Sequence, residues 1–256
     1  MDPNLQTLLE RTLKTTTPLA EVGPASDTKF LNVLMGIYRV SLTTLRDIYY
    51  LSLNEDTGAS ALALTRKIIE YTVTVEYMLW RGKEEMAERF QKHMWTEIHH
   101  ELEFMKVLGQ DMATLGDDLK VGVEEAEREY AALSSDAKDR ISWAGRSIEK
   151  MMEEMREAGV MHDFDFSRIG QAYVWGCRLN HVSPYVVHAY MGSEDAKVAS
   201  DFYMRQAVMF SVLLHLRLST RYIDEINSVK GSDPDPERTK AIVALRDELD
   251  TFEIGN

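Results

Sequence analysis

Apolar residues recur every three to four positions along most of this chain, the period of a helix with one buried face, and alternating strand patterns are scarce. The pattern predicts an all-α protein. Asn4 to Thr15 reads as a short amphipathic helix, closed by Thr15-Thr16-Thr17-Pro18 and a Gly23-Pro24 turn. A long second helix can be capped by Ser26 or Asp27, carries Phe30, Leu34, Ile37, Val40, Leu45 and Ile48, and breaks at Asn54 to Gly58. A third runs from Ser60 to Trp80. The fourth, Glu84 to Leu108, presents Phe90, Met94, Ile98, Met105 and Leu108 as its expected buried face.

Beyond it the period continues at Val123 to Leu133, Ser142 to Ala158 and Ser167 to His181, with a polar-aromatic loop at His162 to Phe166. Ser183-Pro184 opens a short helix through Tyr190, since proline suits a first helical turn. Ala199 to Asn227 is long, apolar and central, and Glu237 to Phe252 is a terminal amphipathic helix. The expectation is a bundle of about eight to ten helices. Residues 1–25 form an N-terminal helix and turn, 26–228 the core domain, and 229–256 a linker and C-terminal helix.

Composition narrows the function classes. The net charge of −13 disfavours nonspecific attraction to nucleic acid or anionic lipid over most of the surface. Cys177 is the only cysteine, so one chain holds neither a disulfide nor a thiolate cluster. The start, MDPNLQTLLE, has no basic region followed by an apolar run, and the most apolar stretch, Gln206 to Leu216, is short of the roughly 20 residues of a membrane helix. A cytoplasmic location without membrane association is expected.

Three constellations carry candidate chemistry. Glu97-Ile98-His99-His100 contains the E-x-x-H spacing that aims a carboxylate and an imidazole at the metals of helical-bundle enzymes. Helical rotation places Glu101 nearest the apolar stripe and Glu97 at its edge, with His93 and His100 aside. Without a second E-x-x-H, the set Glu97, His100 and Glu101 reads first as polar flanks and only second as metal ligands. Arg66 and Glu70, four apart in an apolar helix, form an i,i+4 ion pair. Tyr173, Cys177 and His181 share a helix face, beside Arg178 and Asn180 and ahead of Ser183 and His188. Arg178 and His181 are the acid–base or phosphate-binding candidates there. His215, in an apolar run, reads as a hydrogen-bonded core histidine.

Taken in order, L-x-R-x-I-x-E at Leu64 to Glu70, W-x-G-x-S-I at Trp143 to Ile148, and Tyr173-x-x-x-Cys177-x-x-x-His181-x-Ser183 resemble the bacterial all-helical family catalogued as domain of unknown function five-six-seven-seven. The resemblance spans about residues 30–225. That family is in turn distantly similar to the HEPN superfamily of helical bundles, which implies a HEPN-like core with peripheral terminal helices. Active HEPN ribonucleases pair an Arg and a His four to six residues apart across a homodimer. Arg178 and His181 have two residues between them.

The family's polar positions fall on Arg66, Glu70, Trp143, Tyr173, His181 and Ser183, and are expected to meet in one ligand-binding cleft. The first expectation is a noncatalytic binding or regulatory module for a protein or small-molecule ligand, in bacterial defence or stress response, with no cofactor. The alternative is a HEPN-like, metal-independent ribonuclease acting on RNA as a homodimer through Arg178 and His181. A metal-dependent helical-bundle enzyme comes third.

Overall fold

The helical period is realised throughout. A computed structural model of the chain describes residues 3–22, 28–109, 117–139, 142–180, 184–189, 193–231, 233 and 235–254, and these hold eleven α-helices, one 3-10 turn and no strand. In order they are α1 (Pro3–Thr16), the 3-10 turn (Thr17–Glu21), α2 (Lys29–Ser52), α3 (Gly58–Arg81), α4 (Lys83–Val107), α5 (Asp117–Ala131), the one-turn α6 (Ser135–Lys138), α7 (Ile148–Glu157), α8 (Asp163–Asn180), α9 (Pro184–Ala189), α10 (Ser193–Lys230) and α11 (Pro236–Ile254).

Helix α3 is the axis of the bundle and packs against α2, α4, α7, α8 and α10. Its Ala61, Leu62, Ile68, Ile69, Val73, Val75 and Met78 are all buried, which is why its sequence is apolar nearly all round. Helix α10 is the second axis and also receives α1, α2 and α11. The terminal helices share the common core through Leu5, Leu8 and Leu9 on one side and Leu245 and Leu249 on the other. Arg11 of α1 meets Glu248 of α11 at 2.7 Å.

Several helix ends differ from the sequence pattern, each for a local reason. Ser26 and Asp27 lie outside the described residues, and the start of α2 is capped from a distance: the Phe30 N–H donates to the Glu84 carboxylate at 3.3 Å. Helix α7 begins at Ile148 rather than Ser142, because Ser147 is its N-cap and accepts from the Lys150 N–H. Asp163 and Asp165 fall in the first turn of α8, where carboxylates favour the positive helix end, so the polar-aromatic segment is helical. Helix α10 runs on to Lys230 and stops at Gly231, whose φ of +74° suits a residue without a Cβ.

The buried face of α4 is not the one its apolar residues suggest. Met86, Ala87, Thr96 and Leu102 are buried, whereas Met94, Phe104, Val107 and Leu108 are exposed. The helix takes its cover from α2, α3 and α5, which leave much of its apolar surface open. The packing, not the apolar count, sets the rotation.

His215 is fully buried in α10, as expected of a hydrogen-bonded core histidine. Its Nδ1 lies 3.0 Å from Ser41 Oγ, its Nε2 lies 3.2 Å from Thr16 Oγ1, and its ring stacks on Tyr38. Burial lowers its pKa from 6.5 to about 3, so it is neutral in the fold. Once the chain unfolds the imidazole regains its ordinary affinity for protons, and the unfolded state binds more protons between those two values. Stability is therefore expected to fall as pH drops from about 6.5 towards 3. Denaturant midpoints at pH 6.5 and 5 should show this loss, and His215→Gln should flatten it; an unchanged slope would contradict the buried neutral state.

Candidate functional site

The two sequence segments richest in polar surprises arrive at one cleft. Helices α2, α3, α4, α7 and α8 and the turn at residues 142–147 border an open cleft of about 680 Å³. Arg66, Glu70, Trp143 and Tyr173 all line it. Val33, Ile37, Val40, Phe90, Ile148 and Met151 supply apolar walls. An apolar pocket of this size with a few converging polar groups is the usual form of a small-molecule site.

The polar end is built on α3 and α8. Arg66 Nε donates to Glu70 Oε1 at 2.7 Å, and the pair is half-buried. The guanidinium carbon lies 5.5 Å from the centre of the Tyr173 ring, a cation–π arrangement. Among the described residues the two terminal nitrogens of Arg66 have no hydrogen-bond partner. Burial works against its charge, but the hydrogen bond and charge of Glu70 outweigh this and raise its pKa further, so Arg66 stays a cation. Burial also pushes the Tyr173 phenol and the Cys177 thiol upward, which leaves both neutral and the thiol a poor nucleophile.

Close approach of α8 to α3 depends on Gly176. A Cβ there would lie 2.8 Å from Arg66 Cβ and 3.2 Å from the Leu62 carbonyl oxygen. Its missing side chain lets Tyr173 reach the guanidinium of Arg66.

The turn at residues 142–147 explains the W-x-G-x-S-I pattern. Trp143 is almost fully buried and stands edge-on to Phe90 and Tyr77, with ring centres 5.5 and 6.1 Å away. Gly145 takes a φ of +64°, Ser142 Oγ accepts from the Arg146 N–H, and Ser147 starts α7. Ile148 then faces the cleft. Arg146 also lines it, anchored to Glu154 at 2.9 Å.

Other candidate positions are placed elsewhere. His181 and Ser183 lie outside the described residues. Arg178 is exposed on the last turn of α8 and is not among the residues lining the cleft. Of the residues of the metal alternative, Glu97, His100 and Glu101 are all exposed, whereas the neighbouring His93 faces inward. Among the described residues no group of three or more His, Cys, Asp or Glu side chains could hold a metal ion. The rotation of α4 turns those three side chains to solvent, and only Glu97 touches the rim of the cleft. No helix among the described residues is long and apolar enough to cross a membrane.

Sequence reasoning missed a buried charge cluster under the cleft's central helix. Glu76 of α3 accepts from Arg217 Nε at 2.9 Å and from Arg221 Nε and Nη2 at 3.0 Å, and Arg217 also meets Asp165 at 3.5 Å. A carboxylate in the apolar run Thr72-Val-Thr-Val-Glu76-Tyr, and two arginines four apart in α10, were the available signals.

The cleft and every helix from α3 to α9 lie within the region that matches a family model, residues 31–198. The chain belongs to that family, described as a family of unknown function (DUF5677). No curated protein and no solved structure matches the chain.

Proposed function

We propose that this protein is a noncatalytic binding module whose cleft takes a small molecule with an apolar body and one anionic group. The observation that carries this is the position of Arg66. Its charge is fixed by Glu70, its two terminal nitrogens are unpartnered among the described residues, and it lines a largely apolar space large enough for a ligand. A carboxylate, sulfonate or phosphate can accept two parallel bonds from such a group. The neutral Tyr173 and Cys177 support binding rather than nucleophilic chemistry.

The test uses the aromatic sulfonate dye 1-anilinonaphthalene-8-sulfonate and its uncharged counterpart N-phenyl-1-naphthylamine. The sulfonate should bind saturably and more tightly than the neutral dye. Arg66→Gln should weaken the sulfonate about tenfold or more, because a charge-assisted bond contributes about 1.5–3 kcal/mol. The neutral dye should be nearly unaffected. Equal sulfonate binding by wild type and Arg66→Gln would sink the proposal. A parallel RNA incubation is expected to show no cleavage that His181→Ala abolishes; such cleavage would favour the ribonuclease alternative instead.

A further inference from the structure

Helix α2 presents Val33, Gly36, Ile37 and Val40 to the cleft, positions that share one helical face. Among the described residues that line the cleft, Gly36 alone has no side chain. Glycine inside a helix is less stable than alanine, so its presence there has a structural cost. Packing explains two of the helical glycines: a Cβ at Gly58 or Gly176 would collide with a neighbouring helix, whereas one at Gly122 of α5 or Gly170 of α8 would meet nothing within 4 Å and neither borders the cleft. At Gly36 a Cβ would meet no atom within 4 Å. Packing gives no reason for glycine at this position, and the space it leaves open belongs to the cleft.

Resting on the binding reading above, we infer that the ligand is a planar aromatic monoanion whose ring system lies across α2 at Gly36, with its anionic group on Arg66. Aromatic side chains line the same space: Phe90 of α4, Trp143 of the turn, Tyr71 of α3 and Tyr173 of α8. Flat rings fit between such surfaces by stacking or edge contact. A side chain at position 36 would occupy the volume the rings need, so Gly36 sets the size of ligand the cleft admits.

The experiment compares wild type, Gly36→Ala and Gly36→Leu in thermal unfolding and in binding of the same aromatic sulfonate. Gly36→Ala should raise the midpoint by about 2–4 °C, the helix-propensity gain with no clash to offset it. Gly36→Leu should unfold no earlier than wild type yet bind the sulfonate at least tenfold more weakly. A lower midpoint for Gly36→Ala would overturn the inference by showing a packing role. Arg66-dependent binding left intact in Gly36→Leu would overturn it while leaving the binding module standing. Wild-type binding that does not depend on Arg66 would remove both.

Discussion

Glu76→Ala is expected to lower the stability of the fold by about 3 kcal/mol, because it leaves Arg217 and Arg221 facing each other without their shared carboxylate. Glu76 is 7% exposed, whereas Arg217 and Arg221 are 30% and 40% exposed. The arginines can therefore recover part of their hydration, which keeps the loss at the lower end of what breaking a buried pair costs. Burial alone would raise the Glu76 pKa, but the Arg221 hydrogen bonds and the charges of Arg217 and Arg221 outweigh it and hold the carboxylate below its ordinary range. Its contribution is thus present at neutral pH and is lost as pH falls below the ordinary carboxylate value through the lowered one. Denaturant unfolding at pH 7 measures the loss. The triple replacement Glu76→Leu, Arg217→Met, Arg221→Leu should recover more than half of it, since it removes the buried carboxylate with both its arginines, and Asp165, which loses Arg217, is exposed enough to be hydrated. A single-variant loss under 1 kcal/mol would show that the cluster contributes little.

Gly58→Ala should be nearly as damaging, against the usual rule that alanine improves a helix. Gly58 is the first residue of α3, and its N–H donates to Ser200 Oγ at 3.0 Å. A Cβ there would fall 1.8 Å from the Ser200 carbonyl oxygen and 2.8 Å from the Met204 nitrogen. Both are backbone atoms of α10, so no side-chain rotation relieves the clash. The helices must separate at this contact, at an expected cost of about 3 kcal/mol. For a chain of this size that lowers the thermal midpoint by roughly 10 °C. A midpoint within 2 °C of wild type would show that α3 starts elsewhere in solution. The opposite signs expected at Gly58 and Gly36 separate a glycine required by packing from one that leaves room for a ligand.

Much of the cleft was legible in the chain because its residues break local patterns. Arg66 and Glu70 are charges in an apolar helix; Trp143 and Tyr173 come from the family resemblance, whereas the turn that seats Trp143 reads as helix from Ser142 onward. Such signals are local, and local chemistry is what a sequence displays. Phe90, Gly36 and Arg146 were not legible as cleft residues, since nothing in their own segments says which helix they will face. His181 and Ser183, the rest of the family pattern, lie outside the described residues.

The sequence by itself determined the class of the fold: a helical period nearly throughout, with breaks at Asn54 to Gly58 and near Gly82, makes an all-α bundle. It also determined that His215 would be buried and hydrogen-bonded, because an imidazole in an apolar run has to satisfy its nitrogens inside. Only the tertiary structure decided which face of α4 is buried, since a helix with apolar residues on several sides takes its rotation from its neighbours. Only the tertiary structure joined Glu76 to Arg217 and Arg221, 141 and 145 residues away. Periodicity reports that a face is buried, and the crossing of two helices determines what it is buried against.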